Sequence, residues 1–139
     1  MPANTTPIFT LTARTGGTTI TAANTARDGS GTLVDCFTAG TNGTLLYRMT
    51  FTNASPSVGV AVAKVVRIWI TDSSGANPTL YNEIALTATT SSNTVTGQTK
   101  QFVISDGLFL AAGQKIQVTQ SVRATAADDT DVVWEAGDY

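Results

Sequence analysis

Few side chains in this sequence can do chemistry. Its 139 residues include ten acids, eight bases, one cysteine and no histidine. General acid–base and nucleophilic catalysis draw mainly on histidine, activated cysteine and carboxylates with shifted pKa values. Metal centres draw on clusters of the same types. The single thiol, Cys36, sits in the apolar run Leu33-Val34-Asp35-Cys36-Phe37 and reads as a small buried hydrophobe. With one cysteine, no disulfide can form within the chain. For glycoside hydrolysis by paired carboxylates the candidates are Glu83 with Glu135 or with any aspartate. Both glutamates alternate outward in their strands, which reads as surface charge. Zinc spacings, phosphate loops, dinucleotide fingerprints and nucleophile elbows are missing. The expectation is a protein that is not an enzyme and needs neither cofactor nor metal.

Charge narrows the partners. The net charge is −2 and the basic residues are scattered, so phosphate-led binding of nucleic acid is not expected. Asp128, Asp129, Asp131, Glu135 and Asp138 all follow the last basic residue, Arg123. They read as a solvated loop and polar tail; a calcium site is the alternative, without the ligand order of an EF-hand. No apolar stretch approaches the roughly 20 residues of a membrane helix, and residues 1–7 lack the basic and apolar regions of a secretory signal. The glycosylation-type triplets at Asn4, Asn42 and Asn53 read as chance in a chain whose commonest residue is threonine.

These side chains must be carried by strands. Almost every apolar run is short, rich in β-branched or aromatic residues, and bounded by Gly, Asn, Asp, Ser or Pro. In residues 45–51, Leu45, Tyr47, Met49 and Phe51 share one face, taken as core, and Leu46, Arg48 and Thr50 the other. In residues 65–70, Val66, Ile68 and Ile70 point inward and Val65, Arg67 and Trp69 outward. Turn formers at 72–78 lead into residues 80–86, which predicts a hairpin. Further strands are expected over 8–13, 18–21, 32–38, 99–105, 115–123 and 131–135, with a long polar loop over 89–99. Eight or nine strands predict an all-β fold, a two-sheet antiparallel β-sandwich with a jelly roll as the leading topology. Residues 8–139 form one domain in this reading, preceded by an extended arm at 1–7.

Two features suggest contact with other protein. Arg67 and Trp69 stand side by side on an outward face, and both types are enriched at interface centres. Either a partner covers them, or a loop of the same domain does, or the register is inverted. Trp134 is assigned to core or interface without a choice, since Val132 and Val133 flank it. The arm Met1, Pro2, Ala3, Asn4, Thr5, Thr6 and Pro7 is polar, with prolines at both ends, and suits an extended contact on a neighbour. An oligomer, with a trimer preferred, is expected from the exposed Trp69.

Residues Ala23-Asn24-Thr25-Ala26-Arg27-Asp28-Gly29-Ser30-Gly31-Thr32 and Phe37-Thr38-Ala39-Gly40-Thr41-Asn42-Gly43 resemble small head-associated proteins of tailed bacteriophages. So do Leu110-Ala111-Ala112-Gly113-Gln114-Lys115-Ile116-Gln117-Val118, read as a glycine turn feeding an outer strand, and the ending Ala136-Gly137-Asp138-Tyr139. The segments 43–45 and 55–60 depart from the shorter loops of such proteins. The resemblance implies a capsid decoration, or cement, protein: a jelly roll, commonly trimeric, bound to the major capsid protein on the outer surface of the head. The competing expectation is a tail or fibre-associated module binding a cell-surface glycan through Trp69.

Overall fold

The computed structural model describes residues 12–53 and 59–139. Within them the short apolar runs become strands β1 (Thr12–Ile20), β2 (Val34–Thr38), β3 (Thr44–Asn53), β4 (Gly59–Ala61) and β5 (Lys64–Thr71). There follow β6 (Thr79–Leu86), β7 (Thr89–Ser91), β8 (Thr99–Leu110), β9 (Lys115–Gln120) and β10 (Thr130–Asp138). The helical content of the described residues is one 3-10 turn, Ala126–Asp128.

The pairing is nested. β1 pairs with β10, β2 with β9, β3 with β8 and β5 with β6, all antiparallel. The chain is thus one long hairpin rolled around itself. Lateral pairs between β10 and β3 and between β5 and β9 join it into two four-stranded sheets, β1-β10-β3-β8 and β2-β9-β5-β6. That is the jelly-roll arrangement. β4 and β7 form a small ribbon in the connections outside the two sheets. Between the sheets lies a core built from Ile20, Leu46, Met49, Phe51, Val66, Ile68, Ile116, Val118 and Val132, all 0% exposed.

Several expectations shift. The predicted break between residues 13 and 18 is absent, and β1 runs through Gly16 and Gly17. The glycines serve close packing here: a Cβ on Gly16 would fall 2.4 Å from Trp134 Cζ2. Trp134 is a core residue, 7% exposed, its ring 4.6 Å from that of Phe37, with the Arg14 guanidinium 5.6 Å from its centre. β9 is an inner strand between β2 and β5, not an outer one. Residues 8–11 lie outside the described residues, as does the arm at 1–7.

The largest correction concerns β3. Leu46, expected outside, is fully buried, while Tyr47, expected in the core, is 38% exposed. The cause is a bulge. On β10, Glu135 pairs with Arg48 and Ala136 with Leu46, so Tyr47 has no opposite residue. An extra residue reverses the alternation. Thr44 and Leu46 face inward before it, Met49 and Phe51 after it. The other neighbour accommodates the same point: Leu46 pairs with Leu108 and Arg48 with Val103, leaving four β8 residues opposite Tyr47. Gly107 lies in that excursion with φ +73°, and a Cβ there would come 2.6 Å from Leu45 Cγ. Only glycine meets both conditions without strain.

Phe51→Ala should therefore cost about 3–5 kcal/mol in chemical denaturation, and Tyr47→Ala clearly less, because only the first empties a core site. Equal losses would contradict the bulge.

Candidate interaction surfaces

Arg67 and Trp69 do point away from the core, yet they are 4% and 2% exposed. Their neighbours on β9, Gln117 and Thr119, are 7% and 1% exposed. The cover is the chain's own connection between β1 and β2. Asn24 pins it: its backbone N–H donates to Gln120 O at 2.8 Å, and its side-chain amide donates to Ser30 O at 2.9 Å and Thr32 O at 3.0 Å. Its Oδ1 accepts from the Ala26 N–H at 2.9 Å. A Cβ on the buried Gly29 would lie 3.5 Å from Trp69 Cζ3, and Trp69 Nε1 donates to Thr119 Oγ1 at 3.1 Å.

The guanidinium beneath this strap is held by three hydrogen bonds. Arg67 Nε donates to Glu83 Oε1 at 2.8 Å, and Nη1 to the carbonyls of Asn24 and Ala26 at 3.4 and 3.5 Å. Arg27 Nη2 reaches the other Glu83 oxygen at 2.9 Å. The Arg67 hydrogen bond, reinforced by Arg27, holds the Glu83 carboxyl below its ordinary pKa. The exposure that suggested an interface at Arg67 and Trp69 is thus absent, because the same domain supplies the cover. The other suggested contacts, Met1 to Pro7, lie outside the described residues.

The two glutamates are not brought together. Glu83 lies on the outer face of the β2-β9-β5-β6 sheet. Glu135 lies on the outer face of the other, where Arg48 Nη2 reaches its Oε1 at 2.6 Å. The acids near the C-terminus are likewise separately engaged. Asp138 meets Arg14 at 3.1 Å, Asp129 meets Arg123 at 2.5 Å, and Asp131 accepts from Thr19 Oγ1 at 2.5 Å. Among the described residues no group of three or more His, Cys, Asp or Glu is placed to hold a metal ion.

Asp128 makes a buried knot at one end of the sandwich. It is 0% exposed; its carboxylate accepts from the N–H groups of Val62 at 2.6 Å, Ala124 at 2.8 Å and Thr125 at 3.1 Å. Lys64 Nζ donates to the Asp128 carbonyl. Burial alone would raise the Asp128 pKa, but the three amides and the Lys64 charge outweigh it and hold the group below its ordinary value. The knot ties the start of β5 to the connection between β9 and β10.

Cys36 lies in the core, and burial pushes its thiol pKa up to about 12. Such a thiol is neither nucleophile nor ligand at neutral pH.

Among the described residues, the outer face of the β1-β10-β3-β8 sheet presents several exposed apolar side chains. Val103 is 60% exposed, Phe109 56%, Val133 49% and Tyr47 38%. A shallow depression of about 270 Å³ runs beside Val133 between β1 and β10, lined by Gly17, Thr18, Thr19 and Asp131. A second, of about 600 Å³, lies at the other sheet's edge among Lys64, Val65, Ala85, Leu86, Thr87 and Ser121. Both are open to solvent. The sequence reading missed this face because it assigned Tyr47 to the core. The turn formers Asp106-Gly107 inside a strand-like run were the available signal for a bulge.

No protein-family model matches the chain, and no curated protein matches it. Among solved structures it is similar to the Eiger TNF of S. frugiperda, at 13% identity and a TM-score of 0.43, over 94% of this chain and 96% of that one.

Two outcomes follow from the buried groups. Cys36 should resist thiol reagents in the native protein and react once denaturant unfolds it; fast native labelling would contradict its burial. For Asp128, a folded pKa below the unfolded one means stability that is present above the unfolded value, near 4, and lost as pH falls through the folded one. Asp128→Asn should lower the neutral-pH stability by about 1–3 kcal/mol and flatten the acid side of a melting-temperature profile. An unchanged profile would show that the knot carries no stability.

Proposed function

We propose that the protein is a structural virion component, a cement protein that decorates the outer surface of a bacteriophage head and assembles there as a homo-oligomer, with a trimer preferred. The observation that carries this reading is how the chain's polar chemistry is disposed. The acids and bases that distinguish the sequence are tied into the fold: Glu83 to Arg67 and Arg27, Glu135 to Arg48, Asp138 to Arg14, Asp128 to backbone amides. Among the described residues, one broad sheet face keeps Val103, Phe109, Val133 and Tyr47 exposed. Such a molecule acts by being bound.

Segments behind the phage resemblance support the reading in a specific way. The stretch from Ala23 to Thr32 is the strap over Arg67 and Trp69, and Leu110 to Val118 supplies the turn into β9. Repeated modest contacts on a symmetric shell supply avidity, so no single contact needs to be strong. The major capsid protein is the proposed partner, and the arm Met1 to Pro7 a proposed contact. The glycan-binding alternative used Trp69 as an exposed platform, and that ring is buried.

Purified protein should co-sediment with undecorated heads, and particles should carry it in hundreds of copies; a few copies would indicate a tail location. Deleting Met1 to Pro7 should leave the circular dichroism and melting temperature of the sandwich unchanged while weakening sedimentation with heads. Full-length protein that does not bind heads defeats the reading, and a truncated form that binds equally well removes the arm from it.

A further inference from the structure

The connection between β1 and β2 covers a face of the sandwich without joining its core. Of residues 21–33, all of them described, Gly29 is buried and has no side chain; the others are exposed or half-buried. The β9–β10 connection is the contrast, with Asp128 and Asp129 sealed to 0% and 5% exposure. The strap is fastened to the sheet beneath by polar contacts. The Asn24 N–H donates to Gln120 O at 2.8 Å, Arg67 reaches the Asn24 and Ala26 carbonyls at 3.4 and 3.5 Å, and Arg27, itself exposed, meets Glu83. Gly29 rests against Trp69 and Pro78. The bonds that shape the strap run within it. The Asn24 side chain ties Ser30 O, Thr32 O and the Ala26 N–H, and the Ser30 N–H donates to Asp28 Oδ1 at 3.0 Å.

We propose that residues 21–33 form a lid, which lifts from the β2-β9-β5-β6 sheet as a unit while both sheets stay folded, and so bares Arg67 and Trp69 together. A segment with few buried apolar contacts and solvent-facing hydrogen bonds opens locally at a lower free energy than the core. Lifting strands no charge. Arg67 keeps Glu83, which lies on the adjacent strand 2.8 Å from Nε, and water takes the place of the two long carbonyl contacts. The main cost is exposure of the Trp69 ring, which the closed lid holds at 2%. The lid is independent of the capsid reading above, since no capsid contact enters it.

Amide hydrogen exchange followed by NMR tests it on the unmodified protein. Relative to its intrinsic rate, the Asn24 N–H should exchange at least about a hundredfold faster than those of Ile68 and Val118 in the sheet below. Its opening should hardly respond to low denaturant, because little surface is exposed, whereas theirs should respond as global unfolding does. The Trp69 indole N–H, bonded to Thr119, should follow the Asn24 amide. Val132→Ala weakens the core far from the lid, so it should speed exchange at Ile68 and Val118 by about tenfold while the Asn24 rate stays the same. An Asn24 amide that exchanges as slowly as Ile68 and Val118, with their denaturant response, overturns the lid. So does one that speeds up with them in Val132→Ala. A Trp69 indole that exchanges with the core while Asn24 exchanges early overturns it equally, since the strap would then fray without baring the ring. Should Val132→Ala not fold, the denaturant response of the unmodified protein decides alone.

Discussion

A buried guanidinium organises this molecule. Arg67 stands in the middle of β5 on the face turned away from the core, with its side chain 5% exposed. A buried charge without partners is not tolerated, and breaking such a pair costs about 3–5 kcal/mol. Glu83 on the neighbouring strand supplies one partner, and the carbonyls of Asn24 and Ala26 supply others. Those carbonyls lie on the β1–β2 connection, so satisfying Arg67 requires that connection to cross the sheet. Once there it seals Trp69, and Asn24 fixes its path by bonding to Gln120, Ser30 and Thr32. A short strap thus turns an outer face into a second, smaller interior.

One outer face is closed from within, while the other keeps Val103, Phe109, Val133 and Tyr47 at the surface among the described residues. Its character is set by the bulge in β3. Without it, strict alternation would send Tyr47 inward and Leu46 outward. With it, the two exchange places, and Tyr47 joins Val103 and Val133 on the outer surface. Gly107 in β8 makes the exchange possible by letting that strand swing around Leu45. A packing device in two adjacent strands therefore decides the chemistry of a surface.

The ends of the sandwich are closed by different means. At one, Arg14 lies over Phe37 and Trp134 and bonds to Asp138, so a single cation fastens β1 to both the aromatic core and the last strand. At the other, Asp128 gathers three backbone amides and Lys64 packs beside it. Each motif satisfies polar groups that a rolled hairpin leaves where its strands end. The acids toward the C-terminus, which read as a polar tail, are thereby part of the closure.

Alternation was enough to determine the all-β class, the hairpin of β5 and β6, and the inward set Val66, Ile68, Ile116 and Val118, because period-two patterns are local and each strand carries its own. Cys36 was legible as a core residue for the same reason. The outward direction of Arg67 and Trp69 was legible too, but not their burial. Exposure depends on what crosses above a strand, and here that is a segment some forty residues earlier in the chain, placed by hydrogen bonds to β9. The position of Tyr47 was beyond reach for a related reason. A bulge is a relation between three strands, and it appears in the sequence of one strand only as an alternation that looks unbroken. Which outer face is closed, and which stays exposed, was settled when distant segments met.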